Sequence, residues 1–412
     1  MTPSDREILR DLAKRFRDIC QRDVMNQRRS LWRDHNSFVR TRPPIYTRAF
    51  AWHEMPESRC RCHDALAREH ENRFRHALFW DSLDDDSIFK PWVSVEAVHV
   101  VPTEGVWGLR TAWIGEEDYR TAKSIDPPIK DYADAEKMVE PHHRIDENAT
   151  QERFQQVQDA VGDILPVHVE RAPLYRNWNG DISTQLARLR GLDAMMTDMM
   201  LAPEWAHGLL AFMRDGIVRV HEEAEKAGDW TLSAHSNQAM PYARDLPDPS
   251  IDGSPVPRGK LWYFCAAQET TLYGPDQFEE FMLRYQIPIM APFGLVSYGC
   301  CEDLTRKIDK LRKIPNLRRI AVSPMADVEK CAEQIGHRYI FSYRPSPSDM
   351  VGYDFNENRI RRILRRDLEA CRANGCHVDI TLKDVETVQN DPSRVRRWVE
   401  IAREVIDESA WG

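Results

Sequence analysis

The sequence predicts an α/β protein built as a (β/α)8 TIM barrel, with an N-terminal helical extension and a β-rich insertion. Three observations carry that expectation. From about residue 151 onward, short apolar runs alternate with amphipathic helical stretches, the pattern of a parallel sheet covered by helices. The strand-like runs number eight, as a closed barrel requires: Ile45 to Phe50, Val93 to Val100, then 165–170, 230–235, 293–298, 319–323, 339–343 and 378–382. At 412 residues the chain also suits one barrel carrying insertions.

Residues 1–42 are expected to form the helical extension. Ser4 and Glu7 stand at capping-box spacing, and Ile8, Leu9, Leu12, Phe16 and Ile19 form one helical stripe. The barrel is assigned to 43–412. Its first strand lies in PPIYTRAFAW, and a polar helix follows over Cys60 to Trp80. Segment 81–150, with its acidic LDDDS, the β-rich WVSVEAVHVV and a hairpin-like GVWGLRTAWIG, is read as an excursion from the core. Helices are expected at Glu152 to Gly162, Ile182 to Met200 and Pro203 to Ala227, with a strand at Trp230 to His235. PYARDLPDPSIDGSPVPRG is too rich in proline, aspartate and glycine for a core element, and loops of that length are functional or disordered. In the last third, Ile360, Ile363, Leu364, Leu368 and Cys371 mark one buried helix face. Val395, Trp398, Val399, Ala402, Val405 and Ile406 mark another.

Composition narrows the function classes. The formal charge of −9 comes from 57 basic and 66 acidic residues mixed along the chain, which argues against a nucleic-acid partner. No apolar run reaches membrane-spanning length, and the polar N-terminus points to a cytoplasmic protein. Nine scattered cysteines read as reduced thiols. Neither a glycine-rich phosphate loop nor a GxSxG elbow is present. Trp178, Trp262, Tyr263, Tyr298 and Trp398 are read as core, or as the floor of a pocket.

A barrel of this kind places its site at the C-terminal strand ends. Those ends read Arg48 and Trp52, His168 and Glu170, His235 and Asn237, then Tyr298, Cys300, Cys301 and Glu302, then Ser323 and Asp327, Ser342 and Arg344, and Lys383 and Asp384. Ser323, Asp327 and Ser342 are expected to cap helices. Thiols, a carboxylate and an imidazole from different strands are the donors a catalytic zinc uses, with Cys300 the leading ligand and Cys301, Glu302 and His235 its companions. The alternative is that Cys300 and Cys301 only pack. Cys60, Cys62, His63, His70 and His76 are also ligand types, but they spread over different helix faces; His142 and His143 are read as surface histidines.

The run LWYFCAAQETTLYGPDQFEEFMLRYQIPIMAPFGLVSYGCC and the closing VDITLKDVETVQNDPSRVRRWVEIAREV resemble the uroporphyrinogen decarboxylase-like superfamily over about residues 180–408. That resemblance implies a (β/α) barrel enzyme acting on a small-molecule substrate, either a decarboxylase or a zinc methyltransferase moving methyl groups from a corrinoid or corrinoid protein to a thiol. Homodimers occur in such families. Arg48 stands at the first of two carboxylate-clamping arginines of the decarboxylase branch, while Trp52 replaces the second. Against the His-x-Cys of the methyltransferases this chain has Tyr298-Gly299-Cys300, and Lys383 falls near the position of their later cysteine. Methyl transfer is the leading expectation, with Cys300 on a metal, Tyr298 and His235 positioning substrate and Arg48 with Lys383 supplying charge. Gln268 and Glu269 are expected to face the same cleft. The alternatives are metal-free decarboxylation of a carboxylated substrate and non-catalytic tetrapyrrole or corrinoid binding.

Overall fold

The strands of the main sheet are almost wholly buried, as expected for strands covered by helices. The computed structural model describes residues 1–48, 50–115, 124–409 and 411. Helices α1 (Pro3–Cys20) and α2 (Val24–Asn36) lead into β1 (Ile45–Thr47), then α3 (Ala65–Asp81), β2 (Val93–Glu96), β3 (Ala112–Ile114), β4 (Ser124–Asp126), α4 (Glu147–Val161) and β5 (Val167–Glu170). Next come α5 (Ile182–Arg190), α6 (Leu192–Leu201), α7 (Pro203–Ala227) and β6 (Trp262–Cys265). A helix with a π turn at Glu279–Leu283 joins α8 (Pro275–Phe278) to α9 (Arg284–Met290). The remainder alternates: β7 (Leu295–Tyr298), α10 (Ile308–Leu311), β8 (Leu317–Val322), α11 (Val328–Ile335), β9 (Ile340–Tyr343), α12 (Glu357–Ala373), β10 (His377–Leu382) and α13 (Ser393–Glu408).

Six strands make one curled parallel sheet in the order β1-β10-β9-β8-β7-β6. β2 and β5 make a separate parallel pair, and β3 and β4 an antiparallel one. Alternation along each strand divides the side chains between two environments. Ile45, Val296, Ile320, Phe341, Ile380 and Leu382 belong to the large apolar cluster shared with the covering helices. Arg319, Ser342, Asp379 and Thr381 take the concave face, where Arg319 and Asp379 are fully buried.

Two expected elements differ. The segment 230–235 is not a strand: Leu232–Ala234 is a short 3-10 turn. Its hydroxyls satisfy side chains instead of a ladder, with Ser233 Oγ 3.0 Å from His168 Nε2 and 2.7 Å from Glu170 Oε2, while Ser236 N donates to Trp262 O at 3.2 Å. The strand unforeseen by the pattern is β6, all four of whose residues are buried. The predicted helix 182–200 breaks at Gly191, which takes φ +87°. The first helix is capped by Thr2 with Asp5, two residues before the expected Ser4 and Glu7 pair. The hairpin-like GVWGLRTAWIG does not fold back on itself: its end, β3, pairs with β4 beyond it, and 116–123 lie outside the described residues.

The N-terminal extension closes the end of the sheet opposite the strand C-termini. His35 Nε2 lies 3.1 Å from Asp379 Oδ2, and Asn36 Oδ1 accepts from Arg319 Nη1 at 3.2 Å. Asn36 Nδ2 also donates to Met240 O and Tyr242 O, both at 2.9 Å, so the proline-rich loop is ordered there and buries Tyr242, Ala243 and Leu246. Among the described residues no helix is long and apolar enough to cross a membrane.

Candidate functional site

At the C-terminal end of β7 the chain turns through Gly299, whose φ of +99° suits glycine. A Cβ there would meet Leu304 Cδ1 at 2.7 Å and Ala321 Cβ at 3.2 Å. This left-handed residue interrupts the strand alternation and turns Cys300 onto the concave side, against Phe264, Ala266 and Trp178. Glu302 fixes the turn: its buried carboxylate accepts from Cys300 N at 2.7 Å and from Ala267 N at 2.9 Å, tying β7 to the end of β6.

Lys383, the first residue past β10, reaches across to the same place. Its Nζ lies 2.9 Å from Cys300 Sγ, 3.0 Å from Cys301 Sγ and 2.6 Å from Asp384 Oδ2. The two sulfurs are 3.7 Å apart, and Cys301 also lies 3.4 Å from Asp384 Oδ2. Arg344, past the end of β9 and fully buried, donates from Nη1 to Gln238 Oε1 at 3.0 Å. Gln238 and Asp384 both hold positive φ, 58° and 57°, conformations that non-glycine residues keep only where surroundings impose them.

These contacts separate the two thiols. The hydrogen bond from Cys301, with the charges of Arg344 and Lys383, outweighs burial and lowers the Cys300 pKa to about 6. The same hydrogen bond, burial and the Cys300 charge push the Cys301 thiol up. Burial and Arg344 work against the Lys383 charge, but Cys300 and Asp384 prevail and its pKa is raised. These directions favour a thiolate at Cys300 and a thiol at Cys301 beside the Lys383 ammonium. A pair of adjacent groups with pKa values driven apart is an acid and a base in waiting.

The other nominated residues divide. Arg48 N donates to Leu382 O at 2.8 Å, placing it beside Lys383, and its charge bears on Arg344. Tyr298 lies elsewhere: its hydroxyl donates to Gln286 Oε1 at 2.7 Å and its ring packs on Phe278, on the helix side of the sheet. His168 and Glu170 meet at Ser233, as described. His235 Nδ1 accepts from Trp262 N at 3.2 Å, and burial lowers its pKa to about 3. Asn237 closes a local turn with Ala239 N and Met240 O. Trp52 donates to Asn72 Oδ1 at 2.7 Å. Glu269 accepts from Ser183 and Thr184 at 2.8 and 3.0 Å, and with Gln268, Trp178 and Arg188 lines an open cleft of about 970 Å³.

Of the expected caps, Asp327 does cap α11, whereas Ser342 Oγ binds Arg319 and Asp379 and Ser323 Oγ is buried without a hydrogen-bond partner. His143 is not a surface residue: its buried ring holds Asp229 Oδ2 at 2.7 Å. Arg344 and Gln238 are the site residues that the nominated set missed, although the strand-end rule already pointed at Arg344.

The zinc implied by the resemblance does not fit this donor set. Among the described residues no three of His, Cys, Asp and Glu converge as a metal group, and an ammonium already lies against both sulfurs. Cys60, Cys62, His63, His70 and His76 form no such group either. No family model matches the chain, and no curated protein matches it.

Proposed function

We propose that this chain is a (β/α)8-barrel enzyme of the uroporphyrinogen decarboxylase-like superfamily that works as a metal-independent carboxy-lyase on a small carboxylated substrate. The observation that carries the reading is Lys383 Nζ lying about equally close to Cys300 Sγ and Cys301 Sγ, 2.9 and 3.0 Å, with Arg344 and Arg48 beside them. Barrel closure is supported by the eight parallel strands β1, β2 and β5 to β10, and by the segments that fill the places where no ladder forms. The 231–236 segment joins β5 to β6, while the Asp85 and Asp86 carboxylates, near the start of β2, accept from Thr47 N at 2.7 Å and Ile45 N at 2.8 Å on β1.

In this reaction the bond from carbon to the departing carboxylate breaks, carbon dioxide leaves, and the electron pair stays on carbon. The cations hold the negative charge that a neighbouring carbonyl or carboxylate of the substrate takes up. The Cys301 thiol, held protonated, delivers the proton to carbon, and water returns one to the resulting thiolate. The apolar wall of Phe264, Ala266 and Trp178 against Cys300 suits the departing group, which loses its charge as it leaves.

A second reading, methyl transfer with a corrinoid or corrinoid protein, is favoured by the ionised Cys300, a nucleophile with a lysine where those enzymes use a metal. Carbon dioxide release from short mono-, di- and tricarboxylates, with and without EDTA, tests the first. Chelator-insensitive release that is lost in Cys301→Ala is expected. Release that requires added zinc, or methylcobamide demethylation without carbon dioxide, overturns it.

A further inference from the structure

Two arginines occupy the same concave face on adjacent strands, and the protein treats them differently. Arg319 on β8 is neutralised: Asp379 Oδ2 lies 2.9 Å from its Nη1, and Asn36 and Ser342 take further donors. Arg344, past β9, is as deeply buried but has one side-chain hydrogen bond, to the neutral Gln238 amide. Its Nε is buried with no hydrogen-bond partner among the described residues, as is that of Arg319, so the two arginines differ in the carboxylate that only Arg319 has. Burial pushes its pKa down against the attraction of the Cys300 charge, Arg48 and Arg319 add repulsion, and Asp379 opposes them. Among the described residues no carboxylate forms an ion pair with Arg344, so it lacks the kind of partner that Arg319 holds.

A second unmet donor lies beside it. Arg344 N donates to Val322 O at 3.0 Å and Val322 pairs in register with Tyr343, which sets Ser323 next to Arg344. Alternation puts both on the face that carries Arg319 and Ser342. Among the described residues Ser323 Oγ is buried without a partner, as is Arg344 Nε. Arg48 enters from β1 with no carboxylate in ion-pair contact among the described residues, whereas Lys383 is already paired with Asp384. Arg344, without a carboxylate, and Ser323 thus stand side by side, next to the thiols that Lys383 holds.

We infer that Arg344 and Ser323 form an anion subsite, bordering the Cys300–Cys301–Lys383 trio, which holds a second carboxylate of the substrate. The substrate is then a small dicarboxylate. Resting on the lyase reading, this assigns the retained carboxylate to Arg344 and places the departing one beside the thiols. Gln238 is a positioning residue, because it holds Nη1 and leaves the rest of the fork free. A planar guanidinium with an adjacent hydroxyl matches the two oxygens of a carboxylate.

Binding without turnover tests the subsite independently of the reaction. Oxalate, malonate, succinate and glutarate are titrated calorimetrically into the wild-type chain, Arg344→Gln and Ser323→Ala, with acetate as the single-carboxylate comparison. At least one dicarboxylate should bind more tightly than acetate. Arg344→Gln should weaken it about tenfold or more and Ser323→Ala about threefold, with acetate less affected. Ser323→Ala is the smaller change and keeps the test open if Arg344→Gln fails to fold. A second readout is the ratio of iodoacetate to iodoacetamide reaction rates at Cys300 in a Cys301→Ser background. Removing Arg344 should lower that ratio, since only iodoacetate carries the charge that the subsite attracts. Dicarboxylates that bind no better than acetate, or an unchanged ratio together with unchanged binding in both variants, overturn the proposal. Dicarboxylate binding without carbon dioxide release would leave the subsite standing and remove the lyase reading.

Discussion

Lys383 and Cys300 belong to strands separated by two others in the sheet order, yet the ammonium lies 2.9 Å from the sulfur. In a flat sheet, three inter-strand spacings would separate their backbones by about 14 Å, beyond the reach of a lysine side chain and a cysteine together. Curling of the sheet brings them within reach. The contact therefore reports the curvature of the fold as well as the chemistry of the site.

The charge in that contact adds to the Cys301 hydrogen bond and the Arg344 charge in favouring the Cys300 thiolate, so Lys383→Met should raise the pH at which Cys300 becomes reactive. In the wild-type chain the rate of iodoacetamide reaction at Cys300 should rise with pH around a midpoint of about 6, the value to which its pKa is lowered. In the variant the midpoint moves up toward that of an ordinary thiol, near about 8.5, because an opposite charge favouring the thiolate has gone. Rates measured in a Cys301→Ser background keep a hydroxyl donor beside Cys300 and isolate the lysine effect. A midpoint that stays near its wild-type value would mean the lysine does not activate the thiol.

Glu302 allows structural and electrostatic roles to be separated at one position. Its two oxygens each accept one backbone N–H, from Cys300 and Ala267. Glu302→Gln leaves one acceptor oxygen, so a buried N–H loses its partner and stability should fall by about 1–3 kcal/mol in urea unfolding. Its negative charge also opposes the Cys300 thiolate. Removing it should therefore shift the reactivity midpoint down while the protein becomes less stable. Both falling together is the signature, and a midpoint that rises would contradict this placement of the carboxylate.

The sequence made Cys300, Lys383 and Arg48 legible because the strand-end rule needs only the C-terminal boundaries of strands. It misplaced Tyr298 for a local reason. Val296 and Tyr298 share the helix-facing side, and simple alternation would send Cys300 there as well, but Gly299 at φ +99° breaks the sequence of faces. The run Trp230 to His235 alternates like a strand, yet its Ser233 hydroxyl binds His168 and Glu170 across the space between β5 and β6. β6 is short and wholly apolar, and such runs carry no periodicity to tell them from a buried helical turn. The pairing of Arg319 with Asp379, and the lack of any such partner for Arg344, depends on strand register, which no single-strand pattern contains.

The Arg319–Asp379 pair also sets how the fold responds to acid. Burial alone would raise the Asp379 pKa, but Arg319 and His35 overcome it and lower it to about 2. A carboxyl depressed in the folded state contributes stability that is fully present above its unfolded pKa, near 3.9, and is lost as pH falls toward the folded value. Asp379→Asn keeps the shape but leaves Arg319 with a neutral neighbour, and breaking a buried pair this way costs about 3–5 kcal/mol. Urea unfolding at pH 7 should show that deficit in full. Between about pH 4 and pH 2 the gap between wild type and variant should narrow, because the wild-type chain then protonates the group that the variant lacks. His35 does not reverse the sign: its pKa is lowered chiefly by burial, so it too favours the folded state less as acid is added. A gap that stays constant from pH 7 to pH 3 would show that Asp379 contributes hydrogen bonding without charge, and that the plug formed by α2 does not depend on the ion pair.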